Sequence, residues 1–140
     1  MFDTEAIKSV LPHREPFLLV DRISALEPGS SATGELHVAE DAFWVPGHFP
    51  GYPVMPGVLI VEAIAQVGAF ALLSLEENRG KLVLFGGIDK VRFKRQVRPG
   101  ETLRMEVAIT KMRGPLGFGE GRAWVGDEVA CSGELMFAVK

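Results

Sequence analysis

Apolar and polar positions alternate with two different periods along the chain, and the order of these patterns predicts the fold. Residues 3–11 repeat apolar side chains at helical spacing, which indicates a short N-terminal helix. Residues 17–26 and 32–38 are rich in β-forming side chains and flank the turn-forming sequence EPGS at residues 27–30, so they predict a β-hairpin. Residues 40–45 are expected to form one helical turn.

The middle of the chain combines a shaped loop with the longest apolar run. Residues 46–57, PGHFPGYPVMPG, contain four prolines and three glycines, a composition that disrupts helices and central strands and therefore predicts a loop. A helix of about 22 residues is expected next, with Pro56 near its first turn and Gly80 as its C-terminal stop. The length approaches that of a membrane span, but the Glu62 carboxylate would be costly in lipid, so we expect a helix buried in protein.

Strand patterns dominate the remaining residues. Five segments carry them: residues 82–85, which are typical of a buried strand, and residues 91–94, 103–109, 122–125 and 129–139. Residues 113–121 hold four glycines and one proline and predict a loop or a bulged entry to a strand. The fold class that follows is α+β, with residues 1–140 forming one domain in which a sheet of five or six strands covers the long helix. That helix is apolar nearly all round, so a second subunit is expected to complete its cover.

Composition and charge narrow the classes of function. The chain has 140 residues, of which 47% are hydrophobic and 24% charged, and its formal net charge is −3. This hydrophobic fraction excludes intrinsic disorder, and the negative charge disfavours a general nucleic-acid binder. Cys131 is the only cysteine, which excludes an intrachain disulfide and a cysteine-rich metal site. A lone thiol suits a reducing cytoplasm, and residues 1–20 do not carry the pattern of a secretory signal, so we expect a cytoplasmic protein.

Three polar residues in and before the apolar helix are candidates for chemistry. A lone loop histidine is more often structural, but Gly47 and Pro50 fix the backbone around His48, as a positioned proton carrier requires. Glu62 lies in the most apolar stretch, where burial disfavours the charged form of a carboxyl group, so this residue can keep a proton and act as a general acid. Gln66 shares its helix face and either satisfies a buried neighbour or contacts a substrate.

The predicted helix start is a further candidate site. The first N–H groups of a helix lack intrahelical partners, so those near Gly57 and Val58 can hold an anion or a polarised carbonyl oxygen. Gly57 fits close backbone packing equally well. The three histidines of the chain have no metal-ligand spacing, and Cys131 is expected to be a small buried residue of a strand. These parts suit proton transfer next to a carbonyl, or the addition and removal of water.

Two segments resemble a known enzyme family. HFPGYPVMPGVLIVEAIAQ, residues 48–66, resembles the signature of the bacterial (3R)-hydroxyacyl-[acyl-carrier-protein] dehydratases of the FabZ type, and LPHREPFLLVDRI, residues 11–23, resembles their N-terminal signature. The resemblance covers essentially the whole chain. It implies a hot-dog fold, a homodimer with two sites at its interface, and a hexamer built as a trimer of dimers. The implied reaction, in type II fatty acid biosynthesis, is dehydration of (3R)-3-hydroxyacyl-[acyl-carrier-protein] to the trans-2-enoyl thioester, with no cofactor or metal.

The resemblance also implies roles for particular residues. His48 and Glu62 are the catalytic pair: His48 takes a proton from C2, and Glu62 protonates the leaving hydroxyl group at C3, although which of the two groups protonates that hydroxyl is left open. The N–H groups of Gly57 and Val58 hold the thioester oxygen. A related dehydratase/isomerase family has Asp in place of Glu62, so the glutamate favours dehydration without isomerisation.

Further positions concern the acyl chain. Phe49 and Gln66 are expected to bind substrate. Four residues of the loop either line an acyl tunnel or belong to the core: Phe49, Tyr52, Val54 and Met55. Gln96 stands where the family often has proline.

A basic run completes the set of candidates. Five basic residues fall within nine positions without an acid: Lys90, Arg92, Lys94, Arg95 and Arg98. A solvated edge strand is the usual reason for such a run, and a docking patch for an acidic carrier protein is the alternative. The resemblance favours docking of an acyl carrier protein that bears a phosphopantetheine-linked acyl chain, through Lys90, Arg92, Lys94 and Arg95.

Two other functions compete with the dehydratase. A hot-dog thioesterase would use a carboxylate to activate water on the same class of substrate, but the pairing of a histidine with a glutamate disfavours it. A carrier-binding module with an inactive site is disfavoured because His48 and Glu62 are both present.

Overall fold

The computed structural model describes residues 1–140 and contains one long helix and six strands, in the predicted order. The elements are α1 (Thr4–Lys8), β1 (Arg22–Glu27), β2 (Ser31–His37), α2 (Gly57–Leu73), β3 (Val83–Phe93), β4 (Thr102–Arg113), β5 (Leu116–Val125) and β6 (Glu128–Val139), with a 3₁₀ turn at Glu76–Asn78. The α+β class and the hot-dog fold implied by the resemblance are confirmed, and the sheet has six of the five or six strands expected.

All strands pair antiparallel in a single sheet with the order β1-β2-β4-β5-β6-β3. Helix α2 lies on this sheet and contacts all six strands. Phe70 of α2 and Phe137 of β6 are among the largest fully buried side chains, so the core lies between the helix and the sheet. The strand order leaves β1 and β3 as the two edges.

Helix α2 is shorter than predicted, ending at Leu73 after 17 residues rather than near Gly80. The carbonyl groups at its end find side-chain partners before the glycine is reached. Ser74 Oγ donates to Phe70 O at 2.6 Å, and Asn78 Nδ2 donates to Leu72 O at 2.9 Å. These bonds satisfy the last turn of the helix, so the chain can turn away early. None of the helices has the length and apolar character needed to cross a membrane.

The prediction of a loop or bulged strand entry at residues 113–121 is wrong for most of its length, because β5 begins at Leu116. Gly117, Gly119 and Gly121 alternate along this strand and are all buried. A Cβ atom on Gly121 would overlap Ile64 Cγ2 of α2, and one on Gly119 would lie 2.9 Å from Ala108 O of β4. The glycines therefore lie on the face of β5 that packs against α2, where the missing side chains let the helix come close to the sheet.

The run at residues 82–85 is also not the buried strand that was predicted. Its last three residues begin β3, an edge strand of 11 residues with register shifts after Phe85 and after Asp89. Four apolar side chains of β3 are exposed: Leu84, Phe85, Ile88 and Phe93, at 48%, 40%, 55% and 55%. In a single chain β3 therefore presents an apolar strand edge that no other strand covers.

Smaller differences occur near the N-terminus. Helix α1 ends at Lys8, where Ser9 Oγ bonds Ala6 O at 2.6 Å, so it is shorter than residues 3–11. Strand β1 begins at Arg22 rather than at residue 17, because the main chain before it is bonded to a side chain of α2 instead of to a strand. Residues 40–45 form successive turns instead of one helical turn.

The glycine stripe of β5 yields a stability prediction. We expect Gly121→Ala to lower the free energy of unfolding by about 1–3 kcal/mol, because the added methyl group meets the branched, buried Ile64. The measurement is urea unfolding followed by circular dichroism.

Gly47→Ala is the matched control, since a Cβ atom there meets nothing within 4 Å. Its free energy of unfolding should stay within about 0.5 kcal/mol of that of the parent chain. Equal stability of the two variants would mean that α2 does not depend on the glycines of β5 for its position.

Candidate active site

The loop before α2 holds His48 in a defined orientation. His48 N donates to Trp44 O at 3.0 Å, and Val54 N donates to His48 O at 2.8 Å. On the side chain, Nδ1 lies 2.7 Å from Val54 O. A carbonyl oxygen only accepts, so Nδ1 carries the proton, and Nε2 of the neutral ring keeps its lone pair. The ring of Phe49 stacks on the imidazole at 4.0 Å.

His48 lines a cavity of about 530 Å³ together with the first turn of α2. The helix starts at Gly57, and its first backbone bonds run from Leu59 N and Ile60 N to Pro56 O at 2.9 and 3.2 Å. The N–H groups of Gly57 and Val58 precede these bonds, which leaves them available to an oxygen atom in the cavity. The structure therefore brings together three of the predicted catalytic and substrate-binding residues: His48, Gly57 and Val58.

Gly57 also packs closely against a neighbour. A Cβ atom on Gly57 would lie 2.8 Å from Phe93 Cε1 of β3, so backbone packing alone would require glycine here. The side chain of Val58 is 74% exposed. Of the loop residues expected near an acyl chain, Val54 and Met55 line the cavity, whereas Phe49 and Tyr52 are about half exposed.

Glu62 lies on α2 one turn further along and faces a different, smaller cavity of about 200 Å³. Its side chain is 18% exposed. The carboxyl oxygen Oε2 accepts a hydrogen bond from Gln66 Nε2 at 2.9 Å and lies 3.7 Å from His13 Nε2. Within one chain, therefore, His48 and Glu62 do not line the same cavity.

Gln66 is 1% exposed and connects Glu62 to the N-terminal segment. Leu19 N donates to its Oε1 at 2.7 Å, and its Nε2 donates to Phe17 O at 2.8 Å as well as to Glu62. Because a main-chain N–H can bond only to the amide oxygen, the orientation of the amide is determined. Both N–H bonds of Gln66 are made within the protein, so it satisfies buried neighbours, and its contact with substrate stays a prediction.

His13 is a site residue that the sequence reasoning missed. The spacing of the histidines along the sequence bears only on metal binding, whereas the structure places His13 in the lining of the Glu62 cavity. Its Nδ1 is buried without a hydrogen-bond partner. Burial lowers the pKa of the His13 imidazole below its ordinary value, and Glu62 acts in the opposite direction. The available signal was its place in the segment 11–23, which packs on the face of α2 that carries Glu62.

The basic run divides into paired and unpaired side chains. Arg95 Nη2 lies 3.0 Å from Glu101 Oε2, and Arg95 Nε lies 3.5 Å from Glu128 Oε1. Partial burial pushes the pKa of Glu101 up, but hydrogen bonds from Arg98 N and Arg95 outweigh it and hold that pKa below its usual value. Arg95 is thus held by carboxylates and is less available to a partner than predicted.

The other four basic residues also differ from one another. Lys90 is 3.9 Å from Glu134, and the Arg98 guanidinium lies over the Tyr52 ring at 4.2 Å. Arg92 and Lys94 are exposed and have no carboxylate within salt-bridge distance, and Lys94 lines the cavity of His48. Of the uncompensated positive charge of the run, that of Lys94 therefore lies on the wall of that cavity.

Two remaining expectations concern Cys131, which lines neither cavity, and Gln96, which lines the cavity of His48. Cys131 is 1% exposed, and burial raises the pKa of its thiol to about 11, so the prediction of a small buried residue is confirmed. Gln96, which stands at the position where proline was expected, accepts a hydrogen bond from Tyr52 Oη at 2.7 Å. The loop that carries His48 is thereby tied to the segment after β3.

Comparison with known proteins places this chain in a family. The FabA-like domain model matches residues 11–134. A 3-hydroxyacyl-[acyl-carrier-protein] dehydratase FabZ of Moorella thermoacetica is 59% identical over 137 residues, covering 98% of this chain and 96% of that protein. The protein of the same name from Exiguobacterium sibiricum is 59% identical over 140 residues, covering 100% of both.

Solved structures support the fold at lower identity. A chain of the dehydratase heterocomplex ApeI:P from Xenorhabdus doucetiae superposes with a TM-score of 0.81 at 19% identity, covering 96% of this chain and 90% of that one. An uncharacterized protein from Pyrococcus horikoshii superposes with a TM-score of 0.69 at 17% identity, covering 100% and 95%. At these identities the two structures bear on the fold alone.

Proposed function

The chain belongs to the FabA-like family and matches 3-hydroxyacyl-[acyl-carrier-protein] dehydratases over its whole length, and we propose that His48 and Glu62 are its catalytic acid–base pair. The reaction is removal of water from a (3R)-3-hydroxyacyl-[acyl-carrier-protein] to give the trans-2-enoyl thioester, the dehydration step of fatty acid biosynthesis. The observation that carries the assignment is the His48 ring, whose free Nε2 shares a cavity with the start of α2.

His48 is proposed to be the base. In the neutral ring, its Nδ1–H bond to Val54 O selects the tautomer with a lone pair on Nε2, as a group that removes a proton from C2 must have. Negative charge then develops on the thioester oxygen. The N–H groups of Gly57 and Val58 and the positive end of the helix dipole stabilise that charge.

Glu62 is proposed to be the acid that protonates the leaving hydroxyl group at C3. Gln66 Nε2 already donates to Oε2 at 2.9 Å. The acidic proton of the neutral carboxyl group therefore belongs on Oε1. The loss of this proton to the hydroxyl group, together with the loss of the C2 proton to His48, releases water and forms the double bond.

The two cavities support a site shared between two copies of the chain. His48 and Glu62 face different cavities within one chain, so a pair that acts on one substrate requires a histidine from one copy and a glutamate from another. Apolar side chains of the β3 edge line both cavities, with Phe85 beside Glu62 and Phe93 beside His48. A second copy that covers this edge would bury its exposed apolar surface and bring the two halves of the site together.

We further propose that the acidic carrier protein docks at Arg92 and Lys94. Their charges are not neutralised by neighbouring carboxylates, and Lys94 lies on the wall of the cavity that holds His48. Lys90 and Arg95 contribute less, since they face Glu134 and the pair Glu101 and Glu128. The family resemblance extends the proposal to a hexamer of three dimers in the cytoplasm.

The acid role is tested with Glu62→Gln. The amide has the same shape and can still accept from Gln66, but it has no acidic proton. We expect turnover of a 3-hydroxyacyl thioester, followed by absorbance of the enoyl product, to fall by roughly a hundredfold or more with unfolding temperature unchanged.

Glu77→Gln is the matched control, because Glu77 is exposed just beyond the end of α2. It should keep parental activity. Near-parental turnover of Glu62→Gln would remove Glu62 from the reaction, and release of free thiol instead of enoyl product would indicate a thioesterase.

The docking role is tested with the double charge reversal Arg92→Glu/Lys94→Glu. We expect kcat/KM to fall about tenfold or more on a carrier-protein thioester and to change little on a short pantetheine thioester. The parental advantage on the carrier-protein substrate should shrink with added salt, which screens exposed charges.

The control reversal is Arg79→Glu/Lys81→Glu, which changes the net charge equally at exposed positions beyond the opposite end of α2. A similar loss of kcat/KM in both double variants would mean that the change in net charge, and not docking at Arg92 and Lys94, causes the effect. Equal losses on both substrates would mean that β3 matters for folding rather than for docking.

The shared site is tested by mixing His48→Ala with Glu62→Ala, each inactive alone. With random subunit exchange half of the dimers are mixed, and each mixed dimer regains one intact site of two, so about a quarter of parental activity should return. Confirmed exchange without recovered activity would contradict a site that draws on two chains.

A further inference from the structure

His13 is held firmly beside Glu62, although no role has been assigned to it. Arg14 Nη1 donates to Leu11 O at 2.9 Å and to His13 O at 2.8 Å, so the main chain on both sides of the ring is fixed. A few residues further on, Gln66 bonds the main chain at Phe17 and Leu19. The segment is thus anchored on either side of His13, whose Nε2 lies 3.7 Å from Glu62 Oε2.

The surroundings of the ring decide which nitrogen carries its proton. Nδ1 is buried and has no partner. A proton on Nδ1 would bury an unpaired donor, whereas a proton on Nε2 points toward a carboxyl oxygen and leaves only an unpaired acceptor. The remaining lining of the cavity comes from Gln66 and apolar residues of α2, β3 and β6, so Glu62 is the only charged group that faces the ring there. Burial lowers the pKa of His13, which agrees with a neutral ring.

We propose that neutral His13 donates its Nε2–H to the Glu62 carboxylate that forms as Glu62 protonates the leaving hydroxyl group, and that it is thereby a positioning residue for the dehydration. The inference rests on the proposed role of Glu62. Oε2 already accepts from Gln66 and has a second lone pair for His13. The separation of 3.7 Å exceeds a hydrogen bond in the resting site, and a small movement of the carboxylate closes it.

The proton balance of the step is unaffected by His13. The proton on Glu62 Oε1 goes to the C3 hydroxyl group, the C–O bond breaks and water leaves, while His48 keeps the C2 proton. His13 supplies a hydrogen bond and no proton. Solvent exchange returns the proton from His48 and restores the acid form of Glu62. The hydrogen bond is strongest when Glu62 is charged, so it favours the transition state over the bound substrate.

The test compares His13→Leu, which removes the donor, with His13→Gln, whose side-chain N–H can occupy the position of Nε2–H. We expect His13→Leu to lower kcat by roughly 10- to 100-fold with little change in KM, and His13→Gln to recover most of the loss. Without the donor the charged form of Glu62 is less stable, so the alkaline limb of the kcat–pH profile should move to higher pH in His13→Leu and not in His13→Gln.

His37→Leu is the matched control, because His37 is exposed on β2 and lines neither cavity. The double variant His13→Leu/Glu62→Gln separates the two proposals. If His13 acts through Glu62, the double variant has the residual activity of Glu62→Gln alone. A further 10- to 100-fold loss in the double variant, or an unmoved pH limb in a folded His13→Leu, would overturn the role of His13 while leaving that of Glu62 intact. Near-parental activity of Glu62→Gln would instead remove the acid role itself.

Discussion

One buried amide, the side chain of Gln66, connects helix α2, the N-terminal segment 11–23 and the carboxyl group of Glu62. It accepts from Leu19 N and donates to Phe17 O, and its second N–H donates to Glu62 Oε2. The three bonds support one another, because the loss of any one would leave a buried polar group without a partner at a cost in folding free energy. The orientation of the Glu62 carboxyl group therefore depends on the segment 11–23 being docked on α2, and this dependence explains why a loop, rather than a strand, precedes β1.

The distance between α2 and the sheet is a second constraint, and it is met by leaving out side chains. Gly121 and Gly119 of β5 remove the atoms that would meet Ile64 and the neighbouring strand. The helix can then be apolar and buried for most of its length, while the polar face with Glu62 and Gln66 turns toward the N-terminal segment and the β3 edge. The close packing of α2 on the sheet and the position of the Glu62 carboxyl group near the apolar β3 edge thus both follow from how α2 lies on the sheet.

Local features of the sequence predicted what local physics determines. The proline-rich loop, the start of the helix at Gly57, and the oddity of Glu62 among apolar neighbours are visible in a few consecutive residues. The end of α2, the strand formed by residues 116–121 and the exposure of β3 depend on partners distant in sequence, namely Asn78 with Leu72, Gly121 with Ile64, and the position of β3 at the edge of the sheet. His13 was missed for the same reason, because it and Glu62 are far apart in the sequence and are brought together only by the fold.

His48 and Glu62 line separate cavities within one chain, and each is oriented by a neighbour in that chain. Here His48 is committed through Nδ1 to Val54 O, and Glu62 through Oε2 to Gln66, so each keeps its own partner. In the proposed shared site, a second chain that covers the β3 edge would bring the two groups to opposite sides of one substrate.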